Sequence, residues 1–104
     1  MNLIEAFEFL PKGSIDGKTI PICLKKSWNF TKMICYLPRS NIFSICNLEK
    51  DEFQNSFSKV PGSEHKLNWQ DFSTEDLTSD DYAVSSTSAD ILVRFDKKRW
   101  WDGK

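Results

Sequence analysis

The chain has a single histidine, His65, among 104 residues, and that scarcity removes a good deal of chemistry at once. A cysteine nucleophile needs a base to generate thiolate, and His65 sits in a polar stretch with no local signature tying it to any cysteine. Glycine is scarce too, with four residues and no glycine-rich loop to cradle a phosphate. The three cysteines, Cys23, Cys35 and Cys46, are odd in number and fall inside apolar, strand-like runs rather than in closely spaced ligand pairs. That pattern argues against a disulfide framework and against zinc, and fits small buried thiols in a reducing compartment. No uncharged apolar run reaches the roughly eighteen residues of a membrane span, and the first residues carry Glu5 and Glu8 without a basic leader. A soluble cytoplasmic protein, with no membrane contact and no cofactor, is expected.

Charge of one sign is also missing. The formal net charge of -1 creates no field that would gather nucleic acid, although its distribution is uneven. Residues 64–90 hold seven acidic side chains and one lysine, whereas 97–104 hold four basic side chains and one aspartate. The length suits one domain, which buries about two thirds of its unfolded surface. A single domain over 1–96 with a basic, solvated tail over 97–104 follows, with nucleic-acid binding by the tail the lesser reading.

The pattern along the chain predicts α+β: an N-terminal helix on a small antiparallel sheet of five to six strands, with a short second helix. Asn2 and Glu5 have capping-box spacing, and Leu3, Ala6, Phe7 and Leu10 recur helically until Pro11. Ile20, Ile22 and Leu24 alternate as a strand in which Pro21, lacking an N–H, marks a start, a bulge or an edge. Lys32–Leu37 and Ile42–Leu48 alternate likewise, and short links predict a meander that begins with a hairpin. Phe53, Phe57 and Val60 stand at helical spacing, predicting one or two turns of helix. His65–Trp69 is expected to be a strand, Ser73–Leu77 a capped helix, Tyr82–Val84 a strand, Ser85–Ser88 a linker and Ile91–Phe95 a last strand.

Two groups of residues bear on function. Asp80 and Asp81, with Glu75 and Asp76, lack the spacing and glycine of a calcium loop, so a solvated acidic turn is the simpler reading. Trp28 follows Lys25 and Lys26 at the tip of a predicted hairpin, where an exposed indole beside lysine suits stacking on a base and binding of a phosphate. The competing reading folds Trp28 back as a lid on the core. No constellation for catalysis emerges, and a non-enzyme is expected.

Glu5-Ala6-Phe7 with Leu10, then Lys12-Gly13 or Gly17-Lys18, then Lys25 three positions before Trp28, the later Trp69, and the segment Asp76-Leu77-Thr78-Ser79-Asp80-Asp81-Tyr82 form a series over about residues 2–86. The series resembles small phage proteins of the second Thoeris anti-defence type, which are sponges for cyclic nucleotide immune signals. Lysine stands where arginine is usual there, and Tyr82 where tryptophan is usual. The resemblance implies an α+β homo-oligomer, with a tetramer expected, acting in the host cytoplasm and binding without turnover in pockets between subunits. Trp28 and Trp69 would stack on bases, Lys25 would meet phosphate, and Asn29 and Asp81 would serve ribose or base hydroxyls. Two other readings remain at this level. One is a phage inhibitor that grips a host protein through the acidic 64–90 surface; the other is a small cyclic-nucleotide hydrolase, disfavoured by the absent base and metal set.

Overall fold

The computed structural model describes residues 1–12, 19–53 and 56–88. Helix α1 spans Leu3–Lys12 and begins with the expected reciprocal cap: the Glu5 amide donates to Asn2 Oδ1 at 2.8 Å, and the Asn2 amide to Glu5 Oε1 at 3.1 Å. Leu3, Ala6 and Leu10 form its buried face. Pro11 is included in the last turn rather than excluded, and the helix ends one residue later at Lys12, as expected of a ring that cannot donate to the Phe7 carbonyl.

The strands are β1 (Thr19–Lys25), β2 (Lys32–Leu37), β3 (Ile42–Asp51), β4 (Ser56–Lys59), β5 (His65–Lys66) and β6 (Tyr82–Ser88), and helix α2 spans Thr74–Thr78. Among the described residues they form one six-stranded sheet of order β4-β3-β2-β1-β6, with β5 also on β3, and every pairing among them is antiparallel. The α+β class and the hairpin of the first two strands are as expected. Pro21 sits inside β1, where the ladder to β2 covers only Ile22 and Cys23, so its missing N–H costs that ladder nothing.

Three further expectations fail. In place of a helix around Phe53, Phe57 and Val60 there is strand β4 over Ser56–Lys59, which holds Phe57 alone of the three, because β3 runs on to Asp51 and its backbone edge over Leu48–Asp51 takes a partner. Phe57 then stacks on Phe30 at 4.6 Å, while Phe53 is fully exposed. The strand expected over His65–Trp69 shrinks to His65–Lys66, and Trp69–Asp71 forms a 3₁₀ turn. Ser85–Ser88 is no linker, since it continues β6 against Pro21, Ile20 and Thr19. The strand expected at Ile91–Phe95 and the basic tail lie outside the described residues.

Alternation along the central strands gives the sheet two apolar faces. Cys23, Ile34, Ile45 and Val84 face α1 and meet Leu3, Ala6 and Leu10. Ile22, Met33, Cys35, Cys46 and Leu48 make a second cluster, against which Ile20, Phe30 and Phe57 pack. Burial on both sides explains why β2 reads as a continuous apolar run.

Candidate functional site

At Lys25 strand β1 passes into a 3₁₀ turn over Lys26–Trp28, followed by two left-handed residues, Asn29 at φ 51° and Phe30 at φ 60°. Asparagine tolerates that region, whereas for phenylalanine it is strained, and stacking on Phe57 offsets the strain. This reversal turns Trp28 inward. The indole is 8% exposed, so Trp28 is a lid on the core rather than an open stacking surface.

Asp76, the N3 residue of α2, ties this lid down. Its Oδ1 accepts from Trp28 Nε1 at 3.2 Å, its Oδ2 from the Ser73 amide at 3.0 Å, and its backbone carbonyl from the Tyr82 hydroxyl at 2.7 Å. Tyr82 meets the Trp28 ring edge-on at 5.8 Å, and Lys32 Nζ stands 4.6 Å from the centroid of that ring. Lys25, 2% exposed, places Nζ 3.8 Å from Asp76 Oδ1 and 3.5 Å from Asp81 Oδ1, and donates to the Ser27 hydroxyl. Asp81 Oδ2 in turn accepts from the Ser27 amide at 3.1 Å. Partial burial works to raise both aspartate pKa values, but it is outweighed. The Ser73 amide and the Trp28 indole hold Asp76 below the ordinary carboxylate value, and the Ser27 amide with Lys25 does the same for Asp81.

Of the residues expected at a site, Lys25, Trp28 and Asp81 therefore converge at one junction; Asn29 follows Trp28 as an exposed left-handed residue whose amide bonds back to Lys26, and Trp69 does not join their network. The junction is closed chemically: an ammonium held by two carboxylates is no general base, and the Ser27 hydroxyl is already taken up by Lys25 and by the Asp81 carboxylate. A phosphate at Lys25 would have to displace Asp76 and Asp81. Sequence reasoning recognised Asp76 as a cap but missed its bond to Trp28, 48 positions away, for which no local signal exists.

Trp69 has the opposite environment, with 74% exposure on the 3₁₀ turn Trp69–Asp71. Asn68 Oδ1 accepts from the Gln70 amide at 2.8 Å, and Asp71 Oδ2 from the Asn68 amide at 2.9 Å, which closes a capping box around the turn. Asp71 Oδ1 also meets His65 Nε2 at 2.7 Å, and this bond raises the His65 pKa above its ordinary 6.5. The backbone that displays Trp69 is thus cross-braced at both ends.

Among the described residues one group of potential metal ligands comes together. The ligand atoms of Cys35, Cys46 and Glu64 lie within 4.8 Å of one another. The two thiols share a hydrogen bond, which pushes the Cys35 pKa up and draws the Cys46 pKa down. No family model, no curated protein and no solved structure matches the chain. No helix among the described residues is long and apolar enough to cross a membrane.

Proposed function

We propose that this chain is a non-catalytic binding protein that sequesters a phosphate-containing cyclic nucleotide as a homo-oligomer in the host cytoplasm. The observation that carries the reading is Trp69, a large aromatic face left open to solvent on a turn whose backbone is already fixed. A base stacked on such a face gains roughly 1–3 kcal/mol, and little backbone order is lost on binding because the turn is braced beforehand. His65, on the same braced segment, supplies positive charge when protonated. Trp28 and Lys25 then act indirectly, by holding the fold beneath the site, and further pocket groups come from a second copy of the chain, as the resemblance implies. The acidic-surface alternative loses part of its charge, because Glu64 pairs with Lys59, Asp76 and Asp81 share Lys25, and Asp71 pairs with His65 when that ring is protonated.

Calorimetry with cyclic adenosine and guanosine nucleotides tests the proposal. Micromolar or tighter binding is expected, with intact ligand released on heating. Trp69→Ala should weaken it about 5- to 150-fold, the equivalent of 1–3 kcal/mol. Absence of binding by any such nucleotide, or recovery of a hydrolysed product, overturns the reading.

A further inference from the structure

We infer that Cys35, Cys46 and Glu64 form a binding site for one zinc-type divalent cation on the sheet face turned away from α1. The strand register builds it. Cys35 pairs with Ser44 and Met33 with Cys46, so the two thiols are diagonal neighbours on adjacent strands and share a face. On the other side of β3, Ile45 pairs with His65, and one antiparallel step further sets Glu64 beside Cys46. Three strands thus bring two buried sulfurs and one exposed carboxylate within 4.8 Å.

The two thiols are free, and their register suits a bridging metal better than a disulfide. Diagonal partners stand about 7–8 Å apart in the backbone, at or beyond the roughly 7 Å limit that a disulfide spans. A tetrahedral ion about 2.3 Å from each sulfur bridges such a pair without moving the strands. An independent sign is Ser44: its hydroxyl, directly across from Cys35 and two residues from Cys46, is buried with no hydrogen-bond partner. Buried hydroxyls rarely stay unsatisfied, and a fourth ligand position or a metal-bound water beside the thiolates gives this one a partner.

Charge balance supports the same assignment. Two thiolates and a carboxylate carry three negative charges, and the dication with Lys59, whose Nζ already pairs with Glu64 Oε2, carries three positive ones. Lys59 then serves as the outer partner that orients the carboxylate. Two thiolate donors favour zinc or cadmium over calcium or magnesium, and each thiol releases its proton to solvent on binding. Sequence spacing gave no hint of this, since the ligands lie 11 and 18 positions apart and meet only through pairing.

The test is titration of the reduced, metal-stripped chain with Cd²⁺, following the ultraviolet thiolate-to-metal charge-transfer band, then competition by Zn²⁺. One equivalent should saturate the band, and Zn²⁺ should raise the melting temperature. Cys23→Ala, on the opposite face, should bind fully; Cys35→Ala and Cys46→Ala should lose the band. Glu64→Gln, at an exposed position that leaves the core intact, should weaken Zn²⁺ by about tenfold or more. No band at one equivalent, a band that survives both Cys35→Ala and Cys46→Ala, or unchanged affinity in Glu64→Gln overturns the site. None of these readouts depends on nucleotide binding.

Discussion

Two tryptophans that look alike in sequence have opposite environments. Trp28 is buried, donates to Asp76 and packs on Tyr82, so Trp28→Ala removes a large core ring and strands a carboxylate. The expected loss is about 3–5 kcal/mol. Trp69→Ala removes a side chain that is 74% exposed and should change stability by no more than about 0.5 kcal/mol. Urea unfolding of both variants measures the contrast. Equal losses would mean that Trp69 is part of the core and unavailable to a ligand. Before folding, only the neighbourhood of Trp28 is readable, and a lysine pair beside an aromatic suits an exposed tip and a lid equally well. What decides between them is Asp76, far along the chain.

The short elements were the most legible, because their signals are local. Asn2 with Glu5 and Ser73 with Asp76 both form the caps that their spacing implies, and β2 has the limits that its alternation suggests. Elements fixed by a distant partner were not legible. Phe53, Phe57 and Val60 fit a helix by spacing, yet the free edge of β3 takes Ser56–Lys59 as a strand. Likewise the small residues of Ser85–Ser88 look like a linker until β1 pairs with them. The braced turn carrying Trp69 has its own pH signature. The His65 pKa is raised in the folded state, so the bond to Asp71 contributes fully below His65's ordinary value near 6.5 and is lost as pH rises through the folded value. Asp71 is shifted down despite partial burial, by the Asn68 amide and by His65, so it stays charged across that window. An NMR titration of the single imidazole should report a value above 6.5 that falls back in Asp71→Asn. A wild-type value at or below 6.5 would mean that the turn is not braced in solution.

For the whole molecule, the question is what covers its outward apolar groups. Ile4 is 70% exposed on α1, Phe9 38% on the same helix, and Leu77 40% on α2, which packs against α1. Trp69 is also exposed, so among the described residues several large apolar side chains lie at the surface and a second copy of the chain could cover them. A symmetric self-contact is the simplest cover, because one patch then meets its own copy, and it is also the arrangement in which a pocket between subunits can form. Light scattering should therefore report a multiple of the 12.1 kDa chain mass at micromolar concentration. Ile4→Glu, on the outer face of α1, should shift the distribution toward the monomer without lowering the melting temperature of the isolated fold, since the side chain makes little use of the core. If that variant also loses nucleotide affinity while Trp69 remains intact, the pocket is shared between copies. If the wild-type chain is monomeric at every micromolar concentration yet still binds nucleotide, the site is complete within one chain and the shared pocket is wrong. A monomer that binds nothing removes both the assembly and the sponge reading at once.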